Sequence, residues 1–355
     1  MYEEIRKQKY FDFVKSTHKL SKAKERELEA IFEKISEVET NRNLDIAQID
    51  PAEYPEIIYQ TFDIQRFTYF RQLYYRIHQY REFVFDKELL DTKWLFIYNK
   101  EPRALNGEDL FNIFLDLREK FDPEIIFYNT DYLCKYLEKY LYPILLLQED
   151  SFASYLQEGV AVFAERIEMV YVVLTYLGVE KENRCAIPKS SFIDSDNSIM
   201  FLANKRLPIY ISEYTREIIN KVLNADFMLF LRDSSKHGVI PVYKELHKIT
   251  LLSYAADETI DDMKKRSNVM YMKFSSRSQN GIRKIPSLGN IAFQGVISEI
   301  CKRIHSDEAL NTNTNIIKLF NYLTDSKLSF GDIGAYEVTR EVDYRYKYML
   351  EHNLL

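Results

Sequence analysis

Residues 22–39 read KAKERELEAIFEKISEVE, and the spacing of their apolar side chains sets the fold class. Four of these side chains repeat at i, i+3, i+4 and i+7, the spacing of one helical face, and they are Leu28, Ile31, Phe32 and Ile35. Ser21 stands immediately before the stretch and is of a type that caps helix N-termini. We therefore predict an amphipathic α-helix here.

A second helix is predicted for residues 65–85, whose apolar residues again follow helical spacing at Phe67, Phe70, Tyr74 and Ile77. Glycine and proline number only 9 each among 355 residues, which favours helices over a turn-rich β fold. We expect a mainly α protein of about two domains with a small β-hairpin or sheet. Residues 1–88 form a helical module, residues 89–124 a linker and the start of the second domain, and residues 125–355 that domain.

The second domain is predicted to mix helices with one hairpin. Residues 160–177 are apolar nearly all round, as in a central core helix, and Gly178 follows as a helix end. Residues 199–202 and 207–211 are predicted to be the two strands of a hairpin. Residues 212–231, SEYTREIINKVLNADFMLFL, return to helical spacing.

Positive charge is local in this chain. The net charge of −6 argues against indiscriminate coating of nucleic acid. Residues 263–284, however, hold seven bases and no acid, and residues 1–26 hold eight bases and four acids. DNA phosphates need only such a local surface, although a solvated loop is the alternative interpretation of residues 263–284. The side chains expected to contact DNA there are Lys264, Lys265, Arg266, Arg277, Gln279, Asn280, Arg283 and Lys284.

Three further candidates for DNA contact lie in the second predicted helix, at Arg66, Arg71 and Arg76. A step of five residues rotates by about 140° around a helix, so these arginines do not form one stripe. We expect some of them to reach a phosphate and the others to be solvated.

Several other kinds of site lack their sequence patterns. The three cysteines form no CxxC pair, and the six histidines show no metal-ligand spacing such as HExxH. Neither GxxxxGK[ST] nor GxGxxG occurs. We expect reduced thiols and no metal or other cofactor. Because no 18 apolar residues run together, we expect a soluble, cytoplasmic protein.

Three segments, taken in order, resemble the tyrosine recombinase (phage integrase) family. Residues 6–35 and 66–85 are similar to a core-binding domain, and residues 169–223 are similar to the family's helix, glycine turn, hairpin and following strand. Residues 327–342, KLSFGDIGAYEVTREV, stand where a His-x-x-Arg motif would open a helix. The resemblance implies a two-domain clamp around double-stranded DNA.

Family catalysis needs a tyrosine nucleophile, two arginines that neutralise the scissile phosphate, and a lysine and a histidine that move protons. The resemblance places Glu180 at the first arginine position and glycines, Gly331 and Gly334, at the histidine and second arginine positions. Lys205 lies near the lysine position and is kept as a candidate DNA contact. We therefore expect DNA binding without strand cleavage and assign no catalytic residue.

The nucleophile is also without a clear counterpart. Tyr344, Tyr346 and Tyr348 are candidates by residue type alone, in a chain with 27 tyrosines, and packing roles are the simpler interpretation. Only 21 residues follow Gly334, too few to finish one helix and add the family's further helix.

Within the family, the chain is similar to integrase-like lysogeny repressors of SP-beta-type Bacillus prophages. This implies a nucleoid-associated transcriptional repressor in a bacterial host, with a double-stranded DNA operator as its partner. A phage regulatory protein or a peptide-linked antirepressor is a further candidate partner. Two alternatives stay open: a divergent, active recombinase with a C-terminal tyrosine, and a protein-interaction module without DNA binding, which the negative net charge fits.

Alanine substitution of Arg277, Arg283 and Lys284 is expected to weaken operator binding, because each lost phosphate contact lowers the salt slope of binding by about one unit. Gel-shift titrations at several salt concentrations measure both quantities. Unchanged affinity and slope would remove these residues from the interface.

Overall fold

The computed structural model describes residues 3–18, 21–87, 89, 104–146, 169–179, 199–200, 209–210, 212–223, 228–233, 238–243 and 286–355. In these residues the chain is mainly helical, as predicted. It divides into two units, Met1–Pro123 and Glu124–Leu355.

In its described residues, the first unit contains five α-helices and, between the second and the third of them, two short 3-10 helices. The α-helices are α1 (Glu4–His18), α2 (Lys22–Arg42), α3 (Tyr54–Thr61), α4 (Phe67–Asp86) and α5 (Gly107–Phe121). The 3-10 helices, Ile46–Gln48 and Pro51–Glu53, connect α2 to α3.

The helix predicted from residues 22–39 is confirmed as α2. The Ser21 side chain accepts a hydrogen bond from the Lys24 backbone N–H and so caps the helix. Asn43 ends it in the left-handed conformation that commonly closes helices. The four apolar residues that predicted the helix are all buried. The helix predicted from residues 65–85 is likewise confirmed as α4, and it buries all four of its predicted core residues.

Aromatic rings fill the core of the first unit. Tyr10 of α1 packs edge-on against Phe32 of α2 and Tyr80 of α4, with ring centroids 5.8 and 5.3 Å apart. Such tilted aromatic pairs add stabilisation beyond the burial of apolar area. The cluster holds α1 against α2 and α4.

Helix α5 completes the first unit. Phe111 lies 4.8 Å from Phe67, and Phe114 lies 5.5 Å from Phe70, both measured between ring centroids. The structure thus differs from the interpretation of this helix as part of a linker and the start of the second domain, while residues 90–103 of the predicted linker lie outside the described residues. The aromatic face of α5 finds its partners on α4, and the second unit begins at Glu124.

The described part of the second unit contains helices and two antiparallel strand pairs. The helices are α6 (Thr130–Leu146), a helical segment at residues 169–176, α7 (Glu213–Leu223), α8 (Leu288–Ser306), α9 (Asn313–Thr324) and α10 (Ile333–Glu351). The strands are β1 (Ile199–Met200), β2 (Ile209–Tyr210), β3 (Met228–Asp233) and β4 (Gly238–Tyr243). Short 3-10 helices lie at Pro123–Ile125 and Glu308–Leu310.

Backbone pairing joins β1 to β2 and β3 to β4. Ile199 pairs with Tyr210 in the first pair, and Met228 pairs with Tyr243 in the second. The side chains and connecting residues of these strands lie outside the described residues. A packed β-sheet in this domain therefore stays a prediction.

The predicted helix over residues 212–231 is wrong in its second half. Helix α7 ends at Leu223, and Met228–Asp233 forms strand β3 instead. A short apolar run such as FMLFL fits a buried helix and a buried strand equally well by periodicity. Pairing with Gly238–Tyr243, which supplies the other half of a two-stranded sheet, decides for the strand.

A buried polar cluster joins the helices of the second unit. The Arg345 guanidinium of α10 donates to the Phe127 carbonyl oxygen at 3.0 Å and to Gln294 Oε1 of α8 at 3.0 Å. The Gln294 side chain also donates to the Ile125 carbonyl oxygen and accepts from the Phe127 N–H. The Tyr176 hydroxyl donates to the same Phe127 carbonyl at 2.9 Å. Residues 125–127 are thereby hydrogen-bonded to the helical segment 169–176, to α8 and to α10.

Helix α8 and the helical segment 169–176 meet at Gly295. A Cβ atom added to Gly295 would lie 1.6 Å from the Tyr176 carbonyl oxygen, so only glycine fits this contact. The segment ends shortly after at Gly178, whose φ of +78° is left-handed as expected for a helix-ending glycine.

No helix in the described parts of the chain combines the length and the apolar character needed to cross a bilayer.

The substitution Gly295→Ala is expected to destabilise the protein by about 3 kcal/mol or more, because its methyl group collides with backbone that cannot rotate away. Gly289→Ala, in the same helix but with open space around it, is the matched control and should be neutral or stabilise by up to about 1 kcal/mol. Urea denaturation measures both changes. Equal stabilities of the two variants would contradict the close contact.

Candidate nucleic-acid interface

Nine of the residues predicted to contact DNA lie outside the described residues. They are Lys205, Lys264, Lys265, Arg266, Arg277, Gln279, Asn280, Arg283 and Lys284. The other three, Arg66, Arg71 and Arg76, belong to α4 and the residue before it.

The three α4 arginines do not meet on one surface. Arg66 is the N-cap residue of the helix. The Arg71 guanidinium stacks on the Tyr75 ring at 4.8 Å, whereas Arg76 lies on the side of α1, where its charge acts on the Tyr10 hydroxyl. The structure therefore does not assemble these arginines into a single phosphate-binding stripe.

Two bases of the positively charged N-terminal segment are neutralised inside the first unit. Lys7 Nζ lies 2.5 Å from Glu39 Oε2, and both side chains are completely buried. Arg6 donates to Asp45 at 2.8 Å, and Asp45 also accepts from the Tyr80 hydroxyl. These two bases are not available to DNA. Their role is to hold α1 against α2, the first 3-10 helix and α4.

The remaining charge concentrates where the end of α1 meets the start of α2. Lys22, Lys24 and Arg26 are exposed and form no ion pair with any described residue. Lys15 of α1 reaches the same place, because its Nζ lies 3.6 Å from Glu25 of α2. We call Lys15, Lys22, Lys24 and Arg26 the basic corner.

The N-terminal end of α2 carries three exposed bases. The N-terminal end of a helix carries a partial positive charge, so a base in the first turn costs about 0.3–1 kcal/mol relative to an acid there. Lys22, Lys24 and Arg26 nevertheless lie at or near this end, beside Glu25, the acid of the first turn. Unlike Glu25, these three bases gain nothing from the helix dipole, and they suit an anionic ligand at this N-terminus.

Lys22 and Arg26 lie four residues apart and therefore on the same side of α2. Their separation of one helical turn is comparable to the spacing of successive phosphates along a DNA strand. The basic corner can thus place two charges along one strand, with the backbone N–H groups of the first turn beside them.

Glycines stand at two positions where the family resemblance expects catalytic side chains. Gly331 is exposed with a φ of +104°, a left-handed conformation that strains a histidine. A Cβ at Gly334 would lie 3.1 Å from the Leu328 side chain. Glu180, at the first arginine position, lies outside the described residues.

The three C-terminal tyrosines are packed against neighbours. Tyr348 stacks between Tyr128 and His352, with ring centroids 4.1 and 3.9 Å away. Tyr344 hydrogen-bonds to the Tyr128 side chain, and Tyr346 packs on the core of α8, α9 and α10. Burial raises the pKa of Tyr128 above the usual tyrosine range, which keeps its hydroxyl protonated.

The described cysteines have the properties of core residues. Burial raises the pKa of both Cys134 and Cys301 to about 12, so both are protonated thiols at neutral pH. Within the described parts of the chain, no group of three or more His, Cys, Asp or Glu side chains is arranged to hold a metal ion.

No protein-family model matches the chain, and no curated protein matches it significantly.

Sequence reasoning noted the basic character of residues 1–26 but did not single out the basic corner. The signal that could have found it is the Ser21 cap followed by bases at the start of a strongly predicted helix, where acids are the rule. The neutralisation of Arg6 and Lys7 was not visible, because their partners lie 39 and 32 residues away.

The buried pair of Lys7 and Glu39 is expected to be essential for the first unit. Burial raises the pKa of Glu39 to about 7, so at pH 8 its carboxylate is ionised and faces the Lys7 ammonium. Glu39→Gln should then destabilise the protein by about 3–5 kcal/mol, because a buried cation loses its counter-charge.

The double variant Lys7→Met with Glu39→Gln removes that cation and keeps an acceptor for the Ile46 N–H, which Glu39 binds at 2.8 Å. It should recover most of the lost stability in urea denaturation at pH 8. A double variant no more stable than Glu39→Gln alone would show that the pair is not what holds α1.

Proposed function

We propose that this chain binds double-stranded DNA sequence-specifically and acts as a transcriptional repressor. Its scaffold is proposed to resemble the two-domain clamp of tyrosine recombinases without their catalytic residues. The basic corner carries the proposal, since it groups exposed bases at a capped helix N-terminus in a protein of negative net charge.

A duplex is the ligand that this charge distribution fits best. The exposed bases Lys22, Lys24 and Arg26 attract a polyanion to the start of α2, where Glu25 and Glu27 offset part of their charge. Phosphate contacts of this kind position a protein on the duplex, whereas base contacts supply sequence preference. We assign the base contacts to Arg277, Gln279, Asn280 and Arg283, as predicted from the sequence.

The glycines at two expected catalytic positions favour a regulator that binds DNA without cleaving its strands. Gly331 and Gly334 cannot supply a proton-transfer group or a positive charge to a phosphate. The packed positions of Tyr344, Tyr346 and Tyr348 also support roles in folding. The resemblance to prophage repressors extends the proposal to the maintenance of lysogeny, with a DNA operator and a phage antirepressor as partners.

Triple substitution of Lys22, Lys24 and Arg26 by Gln is expected to lower DNA affinity more than tenfold at about 100 mM salt and to reduce the salt slope by up to about 2.7. The measurement uses fluorescence anisotropy with two probes. One is a duplex enriched by the wild-type protein from a randomised pool, and the other is a scrambled duplex of the same length.

The matched control replaces three exposed lysines elsewhere, Lys135, Lys318 and Lys327, by Gln. It makes the same change in net charge and should leave affinity and salt slope nearly unchanged. Equal losses in both triple variants would assign binding to overall charge and contradict a local site. Failure of the wild-type protein to retain any duplex at low salt would overturn the proposed function itself.

A suicide substrate, in which a nicked duplex traps covalent intermediates, separates the repressor from an active recombinase. We expect no protein–DNA adduct on denaturing gels. An adduct abolished by Phe substitution of Tyr344, Tyr346 or Tyr348 would replace the repressor proposal with the enzyme.

A further inference from the structure

The outward face of α10 carries a regular stripe of side chains. Its members are spaced by 3, 4, 3, 4 and 3 residues, and they are Ile333, Tyr336, Arg340, Asp343, Lys347 and Leu350. This spacing is the one that lines a helix–helix seam. We call these six residues the outer stripe.

The outer stripe lies opposite the side of α10 that enters the core. Val338, Val342 and Met349 are buried with α8 and α9, whereas the two ends of the stripe are open. Ile333 and Leu350 are 36% and 44% exposed, and Phe330, one turn before Ile333, is 73% exposed. Apolar side chains are thus exposed at both ends of this face, and the charged residues of the stripe lie between them.

The outer stripe is complementary to itself when a second helix runs in the opposite direction. Its spacing is the same from either end, so an antiparallel copy places Ile333 opposite Leu350 of the second copy. The same register places Tyr336 opposite Lys347 and Arg340 opposite Asp343. These are an apolar contact, a cation–π contact and an ion pair, and two-fold symmetry makes each of them occur twice.

A parallel arrangement of the same face is unfavourable. It would place Arg340 against Arg340 and Asp343 against Asp343 of the second copy, and like charges across a seam repel. The charge order thus selects both the orientation of the pair and its register.

We propose that a second copy of this chain docks on the outer stripe and forms an antiparallel, two-fold symmetric dimer through α10. A second copy is the occupant because every member of the stripe finds a complementary partner within the stripe itself. The proposal concerns the second unit alone and holds whether or not the basic corner binds DNA.

The dimer is expected to be weak and concentration-dependent. The paired segment of 18 residues spans about 27 Å, and two helices of this length bury less than the area of about 1,200–2,000 Å² found in stable complexes. Sedimentation velocity over a range from low to high micromolar protein should therefore show a shift from monomer to dimer at low salt.

Charge reversal tests the register directly. Arg340→Asp places two acids opposite each other, and Asp343→Arg places two bases opposite each other, so each single variant should dimerise at least tenfold more weakly than wild type. The double variant, Arg340→Asp with Asp343→Arg, restores opposite charges at both positions and should dimerise again. A one-to-one mixture of the two single variants should form heterodimers for the same reason.

The reversal Lys318→Asp, at an exposed base on α9 outside the stripe, is the matched control and should leave dimerisation unchanged. Circular dichroism and thermal unfolding of each variant verify that it is folded. A wild-type protein that stays monomeric at the highest concentration overturns the proposal. Single variants that dimerise like wild type, or a double variant and a mixture that both stay monomeric, overturn it equally.

Discussion

The carbonyl oxygen of Phe127 lies within hydrogen-bonding distance of the Tyr176 hydroxyl, Ser298 Oγ and the Arg345 guanidinium. These three donors come from the helical segment 169–176, α8 and α10, so one backbone atom ties three elements together. The guanidinium is fully buried and is further held by Glu341 and Gln294. A buried charge is tolerated only when its donors are satisfied, which makes this arrangement a strict condition on how the helices pack.

The first unit also contains buried charges, and there they divide the bases of the N-terminal segment into a buried set and an exposed set. Lys7 and Arg6 are withdrawn into ion pairs with Glu39 and Asp45, while Lys22 and its neighbours stay in solvent. The same N-terminal segment therefore supplies both the buried ion pairs of the first unit and the exposed bases of the basic corner. Since these ion pairs hold α1 beside α2, they also determine where Lys15 lies relative to the start of α2.

Local patterns allowed much of the helical architecture to be predicted. The periodicity around Ile31 and the cap at Ser21 were sufficient for α2, because both signals arise within a few residues of each other. Strand β3 could not be predicted in this way, since the choice between helix and strand for an apolar run depends on pairing with a second segment, here Gly238–Tyr243. The placement of α5 in the first unit depends in the same manner on ring contacts with α4 that no local pattern encodes.

The basic corner, like the fold, could be predicted only in part. The abundance of bases near the N-terminus was visible in the sequence, but their sorting into buried and exposed sets depends on Glu39 and Asp45, which fold back from beyond α1. Arg71 and Arg76 show the converse case. Helical geometry alone was enough to predict that they diverge around α4, and their separate environments agree with it.

The contact between Gly295 and the Tyr176 carbonyl has a consequence for chain direction. A backbone atom here takes the volume that a side chain would fill, so the two helices can neither slide nor rotate without collision. The left-handed turn at Gly178 begins only two residues later. The chain therefore leaves the helical core at Val179 from a fixed position and in a fixed direction.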